Sequence, residues 1–308
     1  MTVTSIRPRA RGDAATAVPA GGGKVYRPYS NWFFLPSAVI YGVLFLIPTF
    51  ASLYFSLTRW SLFESKFIGL DNFRLFFQEP ALVKGFTNTL IYAVVTCGSK
   101  VILGLLLAVL LTSQIVARGY LRSVVFFPVL VSTIGVGLTF TVLMNPERGL
   151  INHTLSAIGI NGPGWLTDPK RALLSVAAVD VWKGVGLATL IYIAGLVSIP
   201  REYMEAARVD GAGSWQTFRR IVLPLSRPAT VTVIILSLIG GLRSFDLIWA
   251  MTRGGPGFTS DVIASVIYKQ YQAGFYGLST AGNVVLFVVV TAVVLPLSWL
   301  LNRKEADL

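Results

Sequence analysis

The sequence contains one cysteine and one histidine in 308 residues, and only 14 acidic side chains. A lone Cys97, set within an apolar run, excludes a disulfide framework and a thiolate metal cluster. A lone His153, set in a loop, is expected to be a solvated surface residue; no paired His or Glu-x-x-His spacing is present to build a catalytic or metal site. Charge is scarce as well. Charged residues make up 13% of the chain, roughly half the share of a soluble globular domain. Hydrophobic residues make up 54% and the mean hydropathy is +0.68. These shortages point to a protein that crosses a membrane several times. The net charge of +12 would suit nucleic acid. However, the basic residues scatter at the ends of apolar runs without stacking aromatics among them, so they read as topology signals and no nucleic-acid partner is expected.

The sequence also lacks a nucleotide-binding loop. "GGGKV" near the N-terminus has no first glycine at the required spacing, and valine stands where Ser or Thr should follow the lysine. No cleavage pattern follows the first apolar run, so residues 1–30, rich in Arg and small residues, read as a disordered basic tail rather than a signal peptide.

Six apolar runs are each long enough for a hydrocarbon core of about 30 Å, which takes roughly 20 helical residues. They fall near 32–57, 88–112, 121–144, 173–198, 229–251 and 283–302. None alternates like a barrel strand, and backbone groups in lipid must be satisfied within the segment, so the expected fold is all-α with six transmembrane helices. Lys and Arg are denser in the N-terminal tail, around 113–122, in 199–228 and at 303–304 than in the other loops. This bias predicts that both termini and residues 199–228 are cytoplasmic, in a multi-pass membrane protein. The expected divisions are the tail 1–30, a first helix and external loop over 31–86, a transmembrane domain over 87–302, and a cytoplasmic tail over 303–308. Within the external loops, 59–86 mixes aromatics with charges and predicts an interfacial helix or compact turn. Segment 145–171 is turn-rich at both ends with an amphipathic centre, and no internal repeat is evident.

One loop does not belong among such runs. Residues 202–228, "EYMEAARVDGAGSWQTFRRIVLPLSRP", carry acids, arginines and glycines between two membrane-length segments. Pro200 suits a helix start, "REYMEAARV" consists of good helix formers, and Gly211 and Gly213 supply a stop and a sharp turn. A second short helix follows in "SWQTFRRIV", with Ser214 as its expected cap, one apolar face from Trp215, Phe218, Ile221 and Val222, and its end at Pro224 and Pro228. The small residues Ala206, Ala207, Gly211 and Ala212 allow close approach of a partner, and Glu205 presents a carboxylate to a cation. From the residues alone, a docking corner and an ordinary hairpin capping the bundle both remain open.

"EAARVDGAGSWQTFRRIVLP" resembles the EAA motif of ABC importer membrane subunits, with Glu205, Ala206, Ala207, Gly211, Ile221, Leu223 and Pro224 at the expected spacing. "FIGLDNF" (67–73), "NTL" (88–90), "GLVSIP" (195–200) and "TRGGP" (252–256) resemble the sugar-type, maltose-transporter-like branch of that family. The resemblance covers about residues 30–302. It implies an ABC type I importer fold and a permease subunit that is not itself an enzyme. It further implies that Glu205, Ala206, Ala207, Asp210, Gly211 and Ala212 couple to a separate ATPase. The implied partners are a second, homologous permease in a heterodimer, two ABC ATPase subunits and an extracytoplasmic solute-binding protein. No cofactor is expected in this chain, because ATP and magnesium would reside in the ATPase.

Charged residues within the runs mark the expected substrate pathway, since lipid penalises them. Asp180 with Lys183, and Arg243 with Asp246, stand three apart and are read as pairs sharing a helical face, either lining a path or neutralising one another. The resemblance carries the sugar-lining positions onto Asp180, Lys183, Gly184 and Leu187, and onto Ser237, Gly240, Gly241 and Ser244. Several amide and aromatic residues of the maltose site are absent from these positions. Lys100 is read as snorkelling or pairing across helices and is left out of the site, and Trp182 reads either as a helix-packing residue or as a sugar platform. The expected substrate is a sugar, with a glycerol-phosphate-type permease and, more remotely, an ion-coupled secondary carrier as alternatives.

Overall fold

The computed structural model describes residues 31–61 and 63–303, so the expectations for residues 1–30 and 304–308 lie outside it. By packing, the chain divides into two units, Met1–Pro48 and Thr49–Leu308. The first helix, α1 (Trp32–Ser56), begins in the first unit, where none of its described residues is buried. All other elements belong to the second unit.

A hairpin of β1 (Thr58–Trp60) and β2 (Ser65–Phe67) follows α1, pairing antiparallel with Arg59 opposite Lys66. A short helix α2 (Asp71–Gln78) comes next. Asn72 ties the two together: its Nδ2 donates to the carbonyls of Ser56 at 2.9 Å and Thr58 at 2.8 Å. This is the physical role of "FIGLDNF": Gly69 turns the chain with φ +61 and Asn72 satisfies backbone acceptors that would otherwise be buried unpaired. The 59–86 loop is thus a hairpin plus a helix, and the second span starts earlier than expected, at Pro80, because Pro at a first helical turn forfeits no hydrogen bond.

The bundle is built on α3 (Pro80–Thr112). Then come α4 (Arg118–Leu130), α5 (Thr133–Leu143), α6 (Leu150–Ala157) and α7 (Ala172–Val197). The loop helices are α8 (Arg201–Val209) and α9 (Ser214–Leu225), followed by α10 (Arg227–Leu242), α11 (Asp246–Met251), α12 (Ile263–Gln272) and α13 (Tyr276–Arg303). Among the described residues four helices are long and apolar enough to cross a membrane alone, and up to six spans result if each bent pair counts as one. Two bends depart from the straight runs read in the sequence. The α4–α5 pair turns by 97° at Val131–Ser132, and α9–α10 by 64° at Ser226. Pro128 inside α4 removes a backbone donor and makes the first break cheap. The two halves then serve different neighbours. The α4 backbone crosses α7 where Gly186 carries no side chain to obstruct it, whereas a Cβ on Gly137 of α5 would lie 2.6 Å from Ala250 of α11. The fifth run also ends sooner than expected, at Leu242, because Phe245 leaves helical geometry at φ −138°, ψ −58° and α11 starts afresh.

Close packing sets the helix directions. Without a hydrophobic drive between helices in lipid, small residues that admit the neighbouring backbone dominate the contacts. A Cβ on Gly104 would lie 2.9 Å from Ala188, and one on Gly184 would lie 2.7 Å from Lys100 Cε. Partners therefore climb together along α3 and α7, which run parallel. A Cβ on Gly241 would lie 2.7 Å from Ala93 Cα, while Cys97 Sγ donates to the Ile234 carbonyl at 3.6 Å, so α10 runs antiparallel to α3. The two ends of the bundle follow. Met144, Trp165, Leu173, Met251 and Val262 gather around Tyr92 at one end. Leu111, Ile193, Val233, Ile115 and Phe218 gather around Tyr192 at the other, the end that carries α8 and α9.

Candidate functional site

At the α8–α9 end the chain forms a stiff corner. The Ala212 N–H donates to the Ala207 carbonyl at 2.9 Å and the Gly211 N–H to the Arg208 carbonyl at 3.1 Å. This double closure needs a left-handed residue at Gly211, whose φ is +76. Gly213, rather than Ser214, caps α9: its extended backbone (φ −69°, ψ 164°) precedes the first turn and its N–H donates to Gln216 Oε1 at 3.2 Å. Pro224 does not end the second helix, which continues to Leu225 and breaks at Ser226. Ala207 is buried, Ala212 is half-buried, and Glu205, Ala206, Asp210 and Gly211 are exposed. Around them Tyr203, Val209 and Trp215 stand out, Val209 at 87% exposure. A rigid corner rimmed by uncovered apolar side chains has the character of a docking surface.

At mid-bundle, α7 and α10 each leave a stripe uncovered. On α7, Asp180, Lys183 and Gly184 are half-buried and Leu187 is exposed. On α10, Ser237 and Ser244 are half-buried and Gly240 is exposed, while Gly241 is buried against Ala93. The structure brings Asp180, Gly184 and Ser244 together, but through two residues of α3 that spacing in the sequence did not single out. Lys100 Nζ donates to Asp180 Oδ2 at 2.9 Å, with the two side chains 10% and 24% exposed. The lysine stem crosses α7 in the space that Gly184 leaves free. Tyr92, fully buried, turns its hydroxyl toward the Asp180 carboxylate and the Ser244 hydroxyl, closing a regular hydrogen bond with neither.

Neither charge pair read from sequence neutralises itself. Asp180 bonds to Lys100 and not to Lys183, because α3 and α7 run side by side and deliver the ammonium directly. Arg243 and Asp246 flank the break between α10 and α11, so they share no helical face; both are exposed and make no ion pair among the described residues. Trp182 rests on Phe140 of α5 at 5.2 Å between ring centroids and remains 46% exposed.

The motifs "NTL" and "TRGGP" prove to be two halves of one joint. Asn88 Nδ2 donates to the carbonyls of Thr259 at 2.9 Å and Asp261 at 2.8 Å, and Thr89 Oγ1 accepts the Ile263 N–H at 2.8 Å. Asp261, fully buried, accepts from Lys269 Nζ at 2.6 Å and from Ser265 Oγ at 2.7 Å, with Gly254 leaving room for its carboxylate. Lys269, read in the sequence only as a topology signal, is thus a structural cation. The joint bolts the loop between α11 and α12 onto α3 and fixes where the α10–α11 break sits.

Residues 100–304 match the family described as binding-protein-dependent transport system inner membrane component. The chain is 34% identical over 258 residues to the trehalose/maltose transport system permease protein MalF of Thermococcus litoralis, covering 83% of this chain and 88% of that one. It is similar in structure to a bacterial ABC transporter involved in the import of the acidic polysaccharide alginate. The TM-score is 0.78 at 26% identity, over 88% of this chain and 94% of that chain. A second crystal structure, of a bacterial alginate ABC transporter in complex with alginate pentasaccharide-bound periplasmic protein, matches with a TM-score of 0.76 at 26% identity, over 86% and 91%. The mostly helical membrane architecture, with its bent spans, is that of an ABC type I importer permease, a transport subunit and not an enzyme. The chain belongs to the binding-protein-dependent transport system inner membrane component family.

Proposed function

We propose that this chain is the permease subunit of an ATP-driven, binding-protein-dependent importer of a carbohydrate, and that its two uncovered stripes form half of the translocation path. The carrying observation is a polar cluster on otherwise apolar helices at mid-bundle, Asp180, Lys183, Ser237 and Ser244, joined to a stiff docking corner at one end. A second, homologous permease in a heterodimer supplies the other half of the path. Two ATPase subunits, which hold the ATP and magnesium, dock on the corner, with Ala206 and Ala212 allowing close approach, Ala207 packed beneath them and Glu205 meeting a basic rim. The corner and both chain termini face the cytoplasm. A solute-binding protein delivers the substrate at the opposite end, near the hairpin and the loop between α11 and α12. Trehalose/maltose and alginate, the substrates named for the relatives above, are all carbohydrates and support the class.

Transmission follows from the packing. Phe218 of α9 is anchored among Leu111, Tyr192, Ile193 and Val233, and α9 continues through a 64° bend into α10. Closure of the ATPases would swing the corner as a lever, and the bundle would rock about the path. The test is uptake by the reconstituted complex. Asp180→Ala and Ser244→Ala should each raise the KM for transport severalfold or lower substrate-stimulated ATP hydrolysis. Wild-type behaviour in both variants would remove these residues from the path, and uptake that proceeds without ATP would overturn the class.

A further inference from the structure

The pairing of Asp180 with Lys100 leaves a charge unaccounted for. In sequence, Lys183 stands three residues after Asp180, where the two could neutralise each other. In the structure Lys100 takes the Asp180 carboxylate at 2.9 Å, and Lys183 has no ion pair or hydrogen bond among the described residues. Lys183 lies near the middle of the 26-residue α7, half-buried on the stripe assigned to the path. An ammonium at the centre of a membrane helix is penalised heavily unless it meets water or an anion. Arg243, exposed at the α10–α11 break beside Ser244, is a second cation with no ion pair among the described residues. Asp246, the acid on that break, starts α11, where the helix N-terminus already favours its negative charge.

We propose that Lys183 reads an acidic group on the substrate, so that the carbohydrate carried bears a carboxylate or sulfonate. This rests on the reading of the α7 and α10 stripes as half of a sugar path. A narrow, poorly hydrated passage strengthens attraction between an ammonium and an anion well beyond its value in water. A neutral sugar would leave the lysine uncompensated on every passage. Ser237 and Ser244 on α10 supply hydroxyls for the rest of the sugar, and the Lys100–Asp180 pair, being internally neutral, neither attracts nor repels the acid.

The test uses the complete transporter in proteoliposomes: this chain, its second permease, the ATPases and the binding protein. The probes are trigalacturonate and trimannuronate, each set against its carboxyl-reduced, neutral counterpart. Wild type should take up at least one acidic probe in preference to its neutral counterpart. Lys183→Gln should raise the KM for that acidic probe at least tenfold while leaving its maximal rate within twofold, and Lys183→Arg should restore it. Because the binding protein also selects, the labelled probes are offered in parallel to the complex purified without it. Wild type should then hold the acidic member of the pair at least tenfold more tightly, and Lys183→Gln should hold both alike. ATP-driven uptake confined to neutral sugars, or no retention of any acidic probe, overturns the proposal and leaves the importer reading standing. Equal effects of Lys183→Gln on acidic and neutral probes also overturn it, placing Lys183 against an acid of the second permease. Uptake independent of ATP would instead remove the reading on which the proposal rests.

Discussion

Replacing Lys100 by leucine removes the cation from a 2.9 Å ion pair between α3 and α7 while keeping an apolar, shorter side chain on the α3 face toward Gly184. The Asp180 carboxylate is then left facing the buried Tyr92 hydroxyl with no cation. Breaking a fully buried pair by deleting one partner costs about 3–5 kcal/mol. Asp180 keeps 24% exposure and can recruit water, which lowers the expected loss to about 2–3 kcal/mol, or roughly 30- to 140-fold in the unfolding equilibrium. The double variant Lys100→Leu/Asp180→Leu removes both charges and should recover most of that loss, since an apolar pair of similar volume often matches a buried ion pair. SDS-titration unfolding of the permease in mixed micelles, run on wild type, both single variants and the double, yields the coupling directly. The reasoning is refuted if Lys100→Leu unfolds within about 0.5 kcal/mol of wild type, or if the double variant loses the sum of the two single losses.

Gly211→Ala meets no atom within 4 Å, so its whole effect comes from the left-handed φ of +76. It should destabilise the corner by about 1–2 kcal/mol and lower transport per ATP hydrolysed. Gly211→Glu should abolish transport while leaving membrane insertion intact, read by uptake and by membrane fractionation; a normal uptake rate would show that the corner is not the coupling element. Asn88→Leu deletes both bonds to the Thr259 and Asp261 carbonyls. With two acceptors left unsatisfied, the 252–262 loop should open more easily by about 2–3 kcal/mol. Amide exchange over that loop should rise accordingly, and unchanged protection would show that the joint is held elsewhere.

Length and greasiness of the runs were enough to show a helical membrane protein, because a hydrocarbon core fixes how long an apolar helix must be. The corner was legible for a local reason as well. A glycine positioned to end one helix, flanked by small residues, dictates its own backbone geometry, and the EAA spacing placed it. Other features depended on residues far apart in the chain. The sequence showed one straight run over 121–144, and the 97° turn arises because α4 and α5 pack on different neighbours. Asn88 and Asp261 carry no mutual signal over so long a separation, although both lie in or beside recognisable motifs.

The amino-acid sequence by itself determined the class of protein, the approximate spans and the stiff corner at Gly211, since each rests on composition or on contacts within a few residues. Only the tertiary structure decided which charges are spent and which remain free. Helices that run parallel can deliver Lys100 to Asp180 across a distance that no helical periodicity encodes, and that single delivery leaves Lys183 without an acid among the described residues.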